Sequence, residues 1–274
     1  MEIKEKVAKS DGLEKTKEKM IIKRDFLYPA KGCNRMLHIY LPDNYYDTDE
    51  RYPVMYFFDG HNLFFDEDAT YGKSWGMKDF LDHWDKPMII VGMECGHEGN
   101  ERLSEYLPYK LFRNWFGDVQ PMGDITMQWI INDIKPMIDR EFRTWTHREA
   151  TGIGGSSMGG LMALYGVVHY NAYFSKGACV SSAIGMCFPD CMNDMRNSYI
   201  HPDTRAWLSW GTREAKAADN EVDKNSYIYR SNKAAANKFL AKKAMPQLWC
   251  QVNGSHCEAD WEKQVPLFMD FLWK

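Results

Sequence analysis

The feature that most constrains the fold is the stretch "TGIGGSSMGG", residues 151–160, in which two adjacent serines stand among glycines. The residues before it resemble a short buried strand, and "MGGLMALYGVV" after it resembles an apolar helix. The pattern Gly-x-Ser-x-Gly fits one register, with Gly155 and Gly159 on either side of Ser157. The sequence therefore predicts a tight strand–turn–helix unit with Ser157 at its apex.

Such a turn suits a nucleophile. The flanking glycines are needed where a Cβ would collide with the neighbouring strand or helix. The serine hydroxyl would then stand at the carboxyl end of the strand and the N-terminus of the next helix. Unpaired N–H groups and a partial positive charge there favour a developing oxyanion. The alternative is a glycine turn that serves packing alone.

Strand-like apolar runs alternate with helix-like segments along the rest of the chain. The alternation predicts an α/β fold, a mostly parallel sheet with helices on both faces. The predicted strands are Leu37–Leu41, Val54–Phe58, Met88–Met93, Ala150–Ile153, Gly177–Ser181, Ala206–Trp210 and Leu248–Val252. In the segment 123–142, a helical stripe is predicted with a kink or break at Pro136; its members are Ile125, Trp129, Ile130, Ile134, Met137 and Ile138.

Domain organisation and cellular setting follow from composition. Residues 1–20 are charged throughout and are expected to form an N-terminal arm, followed by a single domain over residues 21–274. A formal net charge of −4 argues against a nucleic-acid partner. No apolar run approaches the ~20 residues that cross a bilayer, and no signal peptide is evident. Seven cysteines without a CxxC pair indicate free thiols and a cytoplasmic protein.

The sequence gives no template for a metal or cofactor site. Cys187 and Cys191 are spaced i to i+4, but no further Cys/His pair at zinc spacing accompanies them. They are therefore expected to be small buried thiols. We expect catalysis without a metal or an organic cofactor.

A serine needs a base, and in this kind of fold the acid and the histidine follow the nucleophile in that order. Three histidines come after Ser157: His169, His201 and His256. His256 is the predicted base because it directly follows the last predicted strand, and ligands gather at strand ends in open α/β sheets.

Several carboxylates could orient that base. Glu214 is preferred because it follows the strand "AWLSW", and Asp219 is the next choice; the other candidates are Asp190, Asp194, Asp203, Glu221 and Asp223. The oxyanion would be held by the backbone N–H of Met158 and by that of His61, which follows the apolar strand "VMYFF" and a glycine.

Together these stretches resemble the putative esterase (esterase D-like) family of α/β-hydrolases. The resemblance covers residues ~21–274 and rests on "LHIYLPDNYYDTDERYPVMYFFDGHNLF", "GIGGSSMGG", "WGTRE" and "NGSHCEADW" in the family's order. It implies a serine nucleophile at Ser157, a base at His256, oxyanion donors at Met158 and His61, and an acid at Glu214. The family includes feruloyl and acetyl-xylan esterases, siderophore trilactone esterases and, more distantly, mycolyltransferases.

The expected function is a serine carboxylesterase that acts on acyl esters of small polar alcohols, acylated sugars among them, without a nucleic-acid or membrane partner. Trp75, Trp115 and Phe116 lie in loop-like segments and are expected near the active edge of the sheet. A trilactone esterase, an acyltransferase and a non-catalytic hydrolase-like binding protein remain the alternatives. The sequence leaves the physiological ester and the oligomeric state undetermined.

Overall fold

An eight-stranded sheet runs through the chain, whose computed structural model describes residues 21–111, 117–215 and 222–274. The arm predicted for residues 1–20 lies outside the described residues. The sheet order is β1-β2-β4-β3-β5-β6-β7-β8. The strands are β1 (Ile22–Tyr28), β2 (Cys33–Tyr40), β3 (Val54–Phe58), β4 (Ile89–Met93), β5 (Thr151–Ser156), β6 (Lys176–Val180), β7 (Arg205–Gly211) and β8 (Met245–Gln251).

The sheet is mostly parallel, which confirms the predicted fold class. β1 and β2 form an antiparallel hairpin, β2 pairs antiparallel with β4, and all the remaining pairs are parallel. Each of the seven predicted strands forms, with ends shifted by up to four residues. β1 was not predicted. It is a half-exposed strand at the sheet edge, and its charged residues interrupt the apolar pattern that marks the buried strands.

Helices cover both faces of this sheet. Val54, Tyr56 and Phe58 of β3 belong to one apolar cluster, and the alternate residues Met55 and Phe57 belong to another on the opposite face. The first cluster includes residues of α3–α7, and the second includes residues of α1 and α9. The helices are α1 (Met77–His83), α2 (Glu101–Glu105), α3 (Gly123–Trp129), α4 (Lys135–Glu141), α5 (Met158–His169), α6 (Phe188–Asn197), α7 (Tyr227–Ala241), α8 (Glu258–Glu262) and α9 (Val265–Trp273).

The helical stripe predicted over residues 123–142 forms, except that Ile125 is not part of it. A π-helical turn, Ile130–Ile134, joins α3 to α4 through continuous helical backbone, and Pro136, which has no N–H to donate, follows it by two residues. Five of the six predicted stripe residues are buried, but Ile125 is 46% exposed and lies off the stripe. The π turn changes the helical phase between α3 and α4, so a single 3.6-residue period does not describe the whole segment.

The described part of the chain contains no helix with both the length and the apolar character needed to span a bilayer. All seven cysteines are free thiols. Cys187 and Cys191 are buried in the apolar core, and burial raises the pKa of the Cys187 thiol to about 12. These two side chains are therefore packing residues, as the sequence predicted.

The turn between β5 and α5 depends on a close backbone approach. A Cβ built on Gly155 would lie 2.7 Å from the carbonyl carbon of Gly159 and 2.8 Å from its oxygen. Backbone atoms at both ends of the turn cannot move apart without displacing β5 or α5. This approach requires glycine at position 155 for steric reasons.

We expect Gly155→Ala to lower the free energy of unfolding by about 1–3 kcal/mol, because the added methyl group overpacks a rigid backbone contact. Denaturant unfolding measures the change. Gly166→Ala, in α5, is the matched control. The atoms nearest to its Cβ would belong to the side chains of Ile153 and Met127, at 3.2 Å and 3.3 Å, and alanine favours the helix. Equal losses in the two variants would contradict the steric argument.

Candidate active site

Ser157 lies at the apex of the turn and has a strained backbone. Its φ of 57° and ψ of −117° are unusual for a residue with a side chain. The N–H of Ser157 donates to Val180 O at 3.0 Å, and its carbonyl accepts from the N–H of Ala183 at 2.9 Å. Ser156, in contrast, is the last residue of β5. The turn therefore singles out Ser157, the serine that the motif register predicts.

His256 and Glu214 are brought together by the loops that follow β8 and β7. His256 Nδ1 lies 2.7 Å from Glu214 Oε2. The Glu214 side chain is buried, whereas the His256 ring is about half exposed. His256 also lines the same cavity as Ser157. A carboxylate on Nδ1 fixes the ring orientation and leaves Nε2 available to a hydroxyl.

Two further donors hold the other oxygen of Glu214. Its Oε1 accepts from the N–H of Gly211 and from the hydroxyl of Ser181, both at 2.7 Å. Ser181 in turn accepts from the indole N–H of Trp261 at 2.9 Å, and the Trp261 ring lies edge-on to His256 with a centroid distance of 5.0 Å. Sequence reasoning missed Ser181 and Trp261. Because Gly211 and Ser181 both donate to Oε1, the Oε2 atom of Glu214 is left directed at the histidine.

The predicted oxyanion donors are both at helix starts. Met158 is the first residue of α5, and His61 is the second residue of a 3₁₀ turn, Gly60–Asn62, that follows β3. The first N–H groups of a helix have no partner within it. This turn packs tightly on β4, because a Cβ on Gly60 would lie 2.4 Å from the carbonyl carbon of Gly92.

An ion pair positions the start of that turn. Asp59 adopts a left-handed conformation, with φ of 58° and ψ of 51°. Its buried carboxylate accepts a bidentate pair of hydrogen bonds from Arg102, Nε to Oδ1 at 2.7 Å and Nη2 to Oδ2 at 2.8 Å. The N–H of Asp59 donates to the hydroxyl of Tyr106 at 3.1 Å. These contacts hold a strained residue two positions before His61.

The cavity has a volume of about 420 Å³, and its wall is an even mixture of polar and apolar surface. Besides the serine and the histidine, its lining includes Asp59, Thr70, His97, Arg102 and Glu258. Glu258 is buried, and burial raises the pKa of its carboxyl group. The sequence did not identify Arg102 or Glu258 as site residues. The cavity suits a substrate that offers hydrogen-bonding groups.

The predicted position of Trp75 in a loop beside the active site is wrong, because its ring is buried in the core. Trp75 is only 2% exposed and packs against Trp261 and Phe268 in the core, with centroid distances of 5.8 Å and 6.2 Å. Tyr71, which is 81% exposed, lines the cavity instead. The other predicted loop aromatics, Trp115 and Phe116, lie outside the described residues, as do the acid candidates Asp219 and Glu221.

The other two histidines that follow Ser157 have partners elsewhere. His169 Nδ1 lies 3.3 Å from Asp194 Oδ1, and His201 Nδ1 lies 2.7 Å from Asp203 Oδ1. Neither histidine is among the described residues that line the serine cavity.

A second group of ligand-type side chains lies beside this cavity, and two of its three members, His61 and His97, line it. One potential ligand atom each from His61, Glu94 and His97 lies within 4.8 Å of the others. Burial lowers the pKa of His61, which favours the neutral imidazole. The sequence showed no metal template because these residues follow two different strands. The available signal was that both strands, β3 and β4, are directly followed by polar residues, Asp59 after one and Glu94 after the other.

The chain belongs to the esterase family described as "Putative esterase", whose model matches residues 29–269. It is 24% identical over 189 residues to the uncharacterized protein YbbA of Bacillus subtilis, covering 68% of this chain and 71% of that protein. It is 29% identical over 155 residues to Esterase Rv1288 of Mycobacterium tuberculosis, covering 56% of this chain. That match spans 30% of the length of Rv1288.

Solved structures of hydrolases share the fold. An IroE-like serine hydrolase from Shewanella oneidensis superposes with a TM-score of 0.70 at 18% identity, covering 92% of this chain and 79% of that one. A ferulic acid esterase gives 0.65 at 14% identity, covering 93% and 97%. The siderophore hydrolase EstA from Aspergillus nidulans gives 0.67 at 13% identity, covering 97% and 99%.

Proposed function

We propose that the chain is a serine carboxylesterase in which Ser157 is the nucleophile, His256 the general base and Glu214 the carboxylate that orients the base. The observation that carries the proposal is the 2.7 Å contact between His256 and Glu214 beside a cavity that also contains the strained Ser157. Membership of an esterase family supports ester hydrolysis as the reaction.

In this mechanism Ser157 Oγ attacks the ester carbonyl while Nε2 of His256 takes its proton. The oxyanion that forms accepts hydrogen bonds from the N–H groups of Met158 and His61. The imidazolium, stabilised by Glu214, then protonates the leaving alcohol. Water enters, loses a proton to His256 and attacks the acyl-enzyme, which releases the acid and restores Ser157. These steps involve no metal ion and no organic cofactor.

The substrate proposed is an uncharged or aromatic acyl ester of a small polar alcohol, such as an acetylated or feruloylated oligosaccharide. Arg102, Glu258 and Thr70 give the cavity wall hydrogen-bonding groups, and the exposed ring of Tyr71 offers a stacking surface. The structural likeness to a ferulic acid esterase agrees with this choice. The cytoplasm is the proposed location, on the basis of the free thiols.

A siderophore trilactone is the second candidate substrate. The fold is shared with the siderophore hydrolase EstA along nearly the whole length of both chains. The Arg102 guanidinium in the cavity would suit a phenolate or carboxylate of such a ligand, although Asp59 already engages it. A trilactone therefore belongs in any substrate panel.

We expect Ser157→Ala to lower kcat by about 10⁴-fold or more while the protein stays folded, because the nucleophile is lost. Ser156→Ala, the neighbouring serine within β5, is the matched control and should retain most activity. Rates on an aryl acetate and labelling by a fluorophosphonate measure the difference. Similar losses in both variants would contradict the assignment of the nucleophile. Absence of labelling in the wild-type protein would favour a non-catalytic binding protein.

We expect His256→Ala to cost about as much activity as the loss of Ser157, because nucleophile and base act as a unit. Glu214→Gln should cost less, roughly 10²- to 10⁴-fold in kcat. His201→Ala is the matched control, since His201 also pairs with a carboxylate at 2.7 Å. If Glu214→Gln were silent and Asp219→Asn harmful, the acid would be Asp219.

On substrate, we expect a higher kcat/KM for acetylated or feruloylated xylo-oligosaccharides than for tributyrin, because the polar side chains of the wall can pair with sugar hydroxyls. The panel should include simple aryl acetates and a trilactone. Product analysis with added alcohols separates hydrolysis from acyl transfer. A preference for tributyrin, or equal rates on every ester, would exclude the carbohydrate-ester proposal and leave a general carboxylesterase.

A further inference from the structure

We propose that His61, Glu94 and His97 form a binding site for a zinc-like divalent transition metal in the wall of the serine cavity. The first of these residues follows β3, and the other two follow β4. β3 and β4 are parallel neighbours, with Phe58 opposite Met93 at their carboxyl ends. The topology of the sheet thus brings together side chains that are more than thirty positions apart in the sequence.

His61 has a buried ring nitrogen that makes no hydrogen bond to the described residues, which leaves it available to a ligand. His61 is 7% exposed, and its Nδ1 has no hydrogen-bond partner among the described residues. Its other nitrogen, Nε2, lies 2.9 Å from Thr70 Oγ1. A buried imidazole nitrogen without a partner is costly, and a metal ion would satisfy it. Nε2 donating to Thr70 is the tautomer that leaves Nδ1 free to coordinate.

The other two ligand atoms already have a suitable spacing. His97 Nε2 lies 3.3 Å from Glu94 Oε2. Zinc bonds of about 2.1 Å in a tetrahedral arrangement put neighbouring ligand atoms ~3.4 Å apart. The His61 ring is close to His97, with a centroid distance of 4.8 Å. Because the His97 side chain is 55% exposed, it can turn toward a shared ion at low cost.

Hydrogen bonds from neighbouring side chains hold two of the proposed ligands in place, as is usual at metal sites. His38 is buried, and its Nε2 lies 2.6 Å from Glu94 Oε1, so the free oxygen of Glu94 is the one next to His97. Thr70 Oγ1 lies 2.9 Å from His61 Nε2 and supports the His61 ring in a similar way. Such outer hydrogen bonds fix the orientation of ligating imidazoles and carboxylates. The cluster therefore has both a ligand set and its supports.

The types of ligand atom indicate which class of metal ion would bind. Two imidazoles and one carboxylate suit zinc and similar first-row ions, whereas calcium and magnesium prefer oxygen ligands. Since His61 and His97 both line the cavity, the fourth position would face its solvent. The proposal does not depend on the serine mechanism. A bound ion would link the 3₁₀ turn after β3 to the loop after β4.

Isothermal titration of the chelator-treated full chain with zinc chloride tests the site. We expect one zinc ion to bind, and we expect Glu94→Gln and His97→Ala each to weaken binding by about 10-fold or more. His97→Ala changes an exposed side chain and should fold normally, which thermal unfolding without metal verifies. His201→Ala is the matched control, because it removes an exposed histidine that pairs with a carboxylate elsewhere, and it should bind zinc like the wild type.

Ser157→Ala should also bind zinc normally, which separates this test from that of the esterase mechanism. Cobalt(II) supplies an independent readout. The visible spectrum of a four-coordinate ion, without a thiolate charge-transfer band, is expected. Failure to bind zinc, equal affinity in the ligand variants and the wild type, or a thiolate band from cysteine ligation would each overturn the proposal.

Discussion

The close approach of Gly155 to Gly159 is the contact on which the arrangement of the site depends. It lets β5 pass directly into α5 and holds Ser157 in a conformation that a side chain normally avoids. β6 and β7 follow β5 in the sheet, and β8 completes that side. Because these strands are parallel, their following loops meet at one edge, where Glu214 and His256 come within 2.7 Å. The parallel direction of these strands therefore places Ser157, Glu214 and His256 at the same edge of the sheet.

Much of this could be predicted from the sequence, and the reasons are local. Buried parallel strands are continuous apolar runs, so the sequence predicts β3 and β4. It does not predict β1, because three consecutive charged residues, Lys23–Asp25, interrupt the apolar pattern of this half-exposed edge strand. Ser157 was identified because its motif fits one register. His256 was chosen because it follows the last strand, and the structure places it in the cavity. Each of these inferences used only residues near in sequence.

The remaining features depend on neighbours in space. Arg102 pairs with Asp59 across forty-three positions, and Glu94 lies near His61 because β4 inserts between β2 and β3. The order of the strands in the sheet does not follow from the spacing of residues along the sequence. Trp75 was misplaced for a similar reason, since a loop-like sequence folds back onto α8 and α9 and buries the ring. Hydrogen-bond partners of Glu214 such as Ser181 likewise become visible only when β6 and β7 are side by side.

The 3₁₀ turn Gly60–Asn62 joins two proposed roles in one residue. The backbone N–H of His61 is the proposed second oxyanion donor, and its imidazole is the proposed metal ligand. Two ligands that share a turn this short are thermodynamically linked, and linkage is reciprocal: the factor by which zinc changes the affinity for an oxyanion equals the factor by which the oxyanion changes the affinity for zinc. On these two proposals, a boronate or phosphonate bound at Ser157 would change the affinity for zinc, and zinc would change the affinity for that inhibitor by the same factor.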